Sequence, residues 1–285
     1  MTESWHHDYL DTNGIKLHYV TQGEGPLMLM LHGFPAFWYS WKYQIPEFAQ
    51  HYKVVALDLR GYNNSDRPKQ TSAYRLEALV ADIRGAIAAL GYDRCILVGH
   101  DWGGALAWSV SYAHPQLIEK LVVMNFPHPA KFAAGLRTPQ QLLKSAYILF
   151  FQLPLLPEIL LSANNYEGIA ATFSDINQYN PEFTTSDINR FREAAARKGA
   201  IKAMLNYYRN LFQGPIFKNQ WGQLNVPTCM IWGEDDQAFS KELTYDTDAY
   251  VKDLQLHYVS QAAHWVQLDR PDVVNQHVRQ YLGYG

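Results

Sequence analysis

Short apolar runs alternate with amphipathic stretches over most of the chain, and the two textures predict different elements. Gly14-Ile15-Lys16-Leu17-His18-Tyr19-Val20 alternates apolar and polar positions, as an edge strand with one wet face does. Leu27–Leu31 is apolar throughout, as expected of a strand covered on both faces. Lys53–Leu57, residues 96–98, 121–124 and 226–233, and Leu254–Val259 read as further strands. Between these runs the apolar residues fall at helical spacing. Residues 74–90 are one such stretch, stopped by Gly91; a second runs from the glycines at 103–104 to about Ala113, before Pro115; a third spans Pro271–Leu282. Strands alternating with helices predict an α/β fold with a doubly wound, mostly parallel sheet. Its ligand site lies beyond the strands' C-terminal ends.

That rhythm stops in the middle of the chain. Residues 130–222 hold no strand-like run, only helix-like stretches rich in Tyr, Phe and Leu. The clearest are residues 140–151 and 185–197, the second opening on a Thr-Ser-Asp cap. The expected organisation is one α/β core, residues 1–129 and 223–285, interrupted by an all-helical cap over 130–222.

Composition removes several function classes. With 48% hydrophobic and 18% charged residues among 285, the chain can bury a large core and is not disordered. A formal charge of −3 gives no electrostatic reason to expect a nucleic-acid partner. Cys95 and Cys229 are too few and too far apart for a disulfide framework or a zinc site, and both fall in strand-like runs. The polar start, Met1 to Leu10, lacks a signal-peptide apolar region, and no run reaches membrane-spanning length. A cytoplasmic protein with no membrane partner is the expectation.

The chemistry concentrates where a strand meets a helix. Gly99-x-Asp101-x-Gly103 has the spacing of a nucleophile elbow, a tight turn that exposes one side chain. The exposed residue here is Asp101, where the common form of the motif carries serine. A carboxylate is already ionised at neutral pH and attacks without losing a proton. Being weak, it suits an sp3 carbon with a strained leaving group, and the product is an ester that water can then open. An aspartate at a helix start can also serve as nothing more than a cap. The rest of the chain weighs against that.

An elbow of this kind needs an acid and a histidine after later strands, and an oxyanion hole. The acid position is offered by Trp232-Gly233-Glu234-Asp235-Asp236, where three carboxylates compete. The histidine is His264, in a small-residue turn after the last strand. Nucleophile, acid and histidine follow the chain order of the α/β-hydrolase fold. Backbone N–H groups of Trp102 and of Phe34, in His32-Gly33-Phe34-Pro35, are the candidate oxyanion donors, one such donor being worth about 3–4 kcal/mol of barrier.

Taken together, His32-Gly33-Phe34-Pro35, Gly61-Tyr62 with Ser65-Asp66, Gly99-His100-Asp101-Trp102-Gly103-Gly104 and His264-Trp265 resemble the α/β-hydrolase-fold epoxide hydrolases. The resemblance spans essentially the whole chain. It implies that Asp236 is the acid. Two cap tyrosines would donate to the epoxide oxygen: Tyr147, in Tyr147-Ile148-Leu149-Phe150-Phe151-Gln152, and Tyr208, in Leu205-Asn206-Tyr207-Tyr208-Arg209-Asn210. The same likeness puts His32, Pro35, Trp102, Phe151 and Trp265 around the substrate. It implies a small-molecule epoxide and water as partners, with no metal and no cofactor. Phenols suit the task, because an alkoxide leaving group needs a donor that stays protonated at neutral pH.

Haloalkane and haloacid dehalogenases share the aspartate nucleophile and are the alternative. The first would carry Asn where Phe34 stands, and fluoroacetate-type enzymes would carry Arg where Trp102 stands.

Overall fold

A computed structural model describes residues 5–214, 216 and 221–284. Eight strands form one sheet: β1 (His6–Thr12), β2 (Ile15–Gln22), β3 (Leu27–Leu31), β4 (Lys53–Leu57), β5 (Cys95–His100), β6 (Ile118–Met124), β7 (Thr228–Gly233) and β8 (Leu254–Val259). Their spatial order is β1-β2-β4-β3-β5-β6-β7-β8. The pairs β1–β2 and β2–β4 are antiparallel, and every later pair is parallel. β3 and β5 sit at the centre and are buried along their whole length, which is why they read as unbroken apolar runs.

Two helices, α1 (Gln44–Phe48) and α2 (Leu76–Ala89), precede β5, and α3 (Trp102–Ala113) follows it. Between β6 and β7 the chain runs through α4 (Pro129–Gly135), α5 (Pro139–Lys144), α6 (Ala146–Phe150), α7 (Leu156–Ala171), α8 (Ile176–Tyr179), α9 (Thr185–Ala195) and α10 (Ala200–Leu211). The described residues of this insertion contain no strand. After β8 come α11 (Val266–Asp269) and α12 (Pro271–Leu282). No helix among the described residues is long and apolar enough to cross a membrane.

Three local features differ from expectation, each for a tertiary reason. The polar start hides β1, whose residues face solvent except for Leu10 and Thr12 and which is held by its ladder to β2 across an Asn13-Gly14 turn. The single helix expected over residues 140–151 breaks at Ser145, between α5 and α6. Buried Gln141 bonds the Ser145 hydroxyl at 2.9 Å, and its amide also pairs with Ala238 and Ser240 of the core. Finally, α9 is capped one residue earlier than read, by a Thr184–Asp187 capping box.

Candidate active site

Asp101 is the first residue beyond β5 and holds φ 50°, ψ −121°, a conformation that L residues rarely adopt. Such strain costs on the order of 1–3 kcal/mol and persists only where the surroundings enforce it. Here the neighbours must be glycines. A Cβ on Gly99 would come 2.3 Å from the Gly103 carbonyl oxygen, and one on Gly103 would come 2.0 Å from that of Leu31. The turn aims the Asp101 side chain away from its helix, and it makes no capping bond. Its Oδ1 accepts the Phe34 N–H at 2.8 Å, and the Trp102 N–H, at the first position of α3, also favours the ionised carboxylate. The two expected oxyanion donors therefore converge on one carboxyl group.

His264 joins Asp101 to a second buried carboxylate. Its Nδ1 lies 3.0 Å from Asp236 Oδ2, and its Nε2 lies 3.7 Å from Asp101 Oδ2. Of the three competing acids, Asp236 alone turns inward. Glu234 is exposed and paired with Lys241 at 2.5 Å, while the exposed Asp235 carboxylate accepts from the Tyr179 hydroxyl at 3.4 Å. Asp236 Oδ1 also accepts the N–H groups of Ala238 and Phe239, at 2.6 and 3.0 Å.

The charges follow from this packing. Burial works to raise Asp236, yet His264, Asn125 and the Phe239 N–H bring it below the usual aspartate value. Burial raises Asp101, offset only in part by His264 and the two backbone donors. Burial alone would lower His264, but Asp236 and then Asp101 reverse this and lift it to about 9. The resting histidine is thus a cation between two carboxylates.

The insertion supplies the roof. Tyr147 on α6 and Tyr208 on α10 line one small cavity with Asp101 and Trp102. Phe126, Phe132, Ile148, Leu211 and Phe239 complete its apolar wall. The two tyrosine rings meet edge to face with centroids 5.9 Å apart, and the Trp102 ring meets Tyr208 edge-on at 5.1 Å. Burial raises both phenols above their usual value, so both stay protonated at neutral pH.

Four of the expected pocket residues stand outside that lining. His32 spends both ring nitrogens on backbone, Nδ1–H toward the Gly33 carbonyl at 2.9 Å and Nε2 accepting from Leu59 N–H at 3.0 Å. Burial lowers it to about 4, so it is a neutral buttress of the Phe34 turn rather than a pocket group. Trp265 is spent in the same way, its indole N–H donating to the Thr172 carbonyl at 2.7 Å while its ring packs at a tilt against Phe173. Phe151 packs edge-on against Tyr208 and Tyr147 from behind. Pro35 is buried and follows Phe34 through a cis peptide bond. Trp102 does line the cavity.

The α/β hydrolase fold family matches residues 26–271. Epoxide hydrolase 4 of Homo sapiens is 42% identical over 278 residues, covering 95% of this chain and 76% of that protein. The AB hydrolase superfamily protein YfhM of Bacillus subtilis is 41% identical over 279 residues, 96% of each chain. A crystal structure of a Bacillus megaterium epoxide hydrolase in complex with an inhibitor has a TM-score of 0.91 at 35% identity, covering 96% of this chain and 99% of that one.

The chain belongs to the epoxide hydrolase family. Epoxide hydrolases are hydrolases acting on ether bonds, and the flanks of the two tyrosine motifs have a visible physical purpose in this member. Gln152 donates to the Tyr208 carbonyl at 2.9 Å, and Arg209 donates to the Phe151 carbonyl at 3.2 Å. Each motif thus grips the backbone of the other. Tyr207 anchors α10 to the core through the Arg60 carbonyl at 2.8 Å.

Three further polar residues belong to this epoxide hydrolase site: Asn125 and Asp269 lie outside every motif named above, and His100 sits inside the elbow motif with no role expected of it. Asn125, at the end of β6, donates to Asp236 Oδ2 at 2.6 Å and accepts the Gly233 N–H at 3.0 Å. His100 donates Nε2–H to the His264 carbonyl at 2.7 Å. Asp269 accepts the Ala263 N–H at 2.7 Å. The one available signal was a polar side chain directly after a buried apolar strand, as at Asn125.

Proposed function

We propose that this chain opens epoxides to vicinal diols through a covalent ester on Asp101. The observation that carries the reading is the shared cavity: an ionisable carboxylate and two phenols line one small, largely apolar space. Asp101 attacks an epoxide carbon, the carbon–oxygen bond breaks, and Tyr147 and Tyr208 donate to the departing oxygen. That oxygen takes a proton from a phenol, which is restored from the His264 imidazolium.

Esterification removes the Asp101 charge, and with it one of the neighbours that held His264 in its charged form. The histidine then becomes a base. It takes a proton from water as the hydroxyl adds to the ester carbonyl, whose oxygen is held by the Phe34 and Trp102 N–H groups. The acyl–oxygen bond breaks, the diol oxygen takes that proton from His264, and the Asp101 carboxylic acid left behind passes its own proton to the imidazole, which restores the carboxylate and the imidazolium. Asp236 orients the ring and stabilises its cation.

In this reading residues 130–222 are a cap on a core of residues 1–129 and 223–285, and closure keeps bulk water from the first step. The aromatic wall favours epoxides with apolar substituents. His264→Gln tests the mechanism. Ester formation should survive and breakdown should stall, so mass spectrometry after epoxide addition finds the substrate's mass added to Asp101. An unmodified Asp101, or halide release from short haloalkanes without diol formation, sinks the reading and favours the dehalogenase alternative.

A further inference from the structure

The backbone on either side of the His264 side chain is pinned by two buried groups outside the proposed reacting set. His100 takes the His264 carbonyl, and Asp269 takes the Ala263 N–H. Asp269 ends α11 and is 1% exposed. A buried carboxylate is a costly way to satisfy a single peptide N–H, since a neutral side chain would accept the same bond without desolvating a charge. Its placement beside a histidine that must change its protonation state gives the charge a use.

We propose that Asp269 is a positioning residue for the hydrolytic half of the reaction, fixing the peptide that leads into His264 and biasing when the imidazole gives up its proton. The proposal rests on His264 acting as the base for ester breakdown. Asp269 lies within electrostatic reach of His264, of Asp236 after β7, and of Asp175 and Tyr179 at the two ends of α8. His264 is the cation among these groups. Ionised Asp269 favours the imidazolium; protonated Asp269 releases it.

Burial lifts Asp269 to about 7, so it takes up a proton as the solution turns mildly acidic. That uptake weakens the hold on the His264 proton in the range where the base is hardest to keep neutral. The ionised carboxylate therefore sets the acid limb of ester breakdown higher than a neutral side chain at this position would. Asn at this position mimics the protonated form and still accepts the Ala263 N–H. Ala does neither.

Rapid-quench single turnovers separate ester formation from ester breakdown, with both rate constants followed across pH. For Asp269→Ala we expect breakdown about 10-fold slower or more, with formation within about 2-fold of the native rate, as a sub-ångström loss of alignment produces. For Asp269→Asn we expect the plateau rate of breakdown to return to within about 3-fold of native. Its acid limb should move down by about half a pH unit or more, the size of one nearby charge removed.

A purely structural role would slow both steps together and leave the limb in place, and that result overturns the proposal. So does native-rate breakdown in Asp269→Ala. The near-isosteric Asn variant carries the pH readout by itself if the Ala variant does not fold. His264→Gln, run alongside, distinguishes the two levels. If its ester accumulates, a native-like Asp269→Asn limb counts against Asp269 alone; if no ester forms in any variant, the underlying mechanism has failed.

Discussion

The two halves of the site are built on different principles. Below the cavity, Asp101, Asp236 and His264 follow the ends of parallel strands; backbone N–H groups hold the two carboxylates, and Asp236 holds the His264 ring. Above it, Tyr147 and Tyr208 ride on helices that hold each other through Gln152 and Arg209 and reach the core at a few points such as Tyr207. The insertion also leaves Leu143, Leu155 and Ile159 largely exposed, whereas β3 and β5 are fully covered. The lower half is pre-set by the fold, and the upper half is set by pairwise clamps. In the proposed mechanism both halves serve ester formation, but only the lower half serves breakdown, so damage to either can be told apart.

The largest expected effect breaks the upper half outright. Phenylalanine at both 147 and 208 keeps the rings and removes both donors to the leaving oxygen. Ester formation should fall by about 10²–10⁴-fold, the usual worth of a positioned proton donor, with the single variants intermediate. Ester formed slowly by the double variant should still break down at the native rate. Quenched-flow measurement of the two steps decides it; equal loss in both would mean the tyrosines are packing residues.

How much of this was legible follows the same division. The strand-end half announces itself locally, because a tight turn demands Gly99 and Gly103 within four residues of each other and places Asp101 between them. What stayed ambiguous was the acid. Asp235 and Asp236 are chemically identical, and only the inward turn after β7 separates them. Asn125 and Asp269 were silent, since their partners lie across the fold or around a loop whose path is a tertiary fact. β1 was missed because an edge strand held by backbone bonds needs no apolar pattern. In the insertion the break at Ser145 was invisible, since Gln141 becomes a helix breaker only when Ala238 and Ser240 are beside it.

A second prediction sharpens the lower half through its charge. His264 is raised to about 9 in the folded chain against an ordinary 6.5. The stabilisation from its carboxylate partners is complete below the unfolded value and is lost as pH climbs through the folded one. Folding free energy of the native enzyme should therefore fall between about pH 6.5 and 9, by an amount on the order of 1–3 kcal/mol. Urea titrations of native and His264→Gln protein across that window provide the check. The variant lacks the titrating group, so a decline of the same size in both would assign the effect elsewhere.

The smallest effect probes the clamp rather than the chemistry. Gln152→Ala removes the bond from the α6 end to the Tyr208 carbonyl but leaves both phenols, Arg209 and the Tyr207 anchor in place. A single neutral hydrogen bond of this kind contributes about 0.5–1.5 kcal/mol, so stability should drop only slightly. Ester formation should slow by about 3–10-fold, because the two hydroxyls must meet one oxygen atom and small misalignments are costly. Breakdown should not change, since nothing in the lower half depends on Gln152. If breakdown slowed as well, the two halves would be mechanically coupled, and the insertion would have to be treated as part of the frame that holds His264.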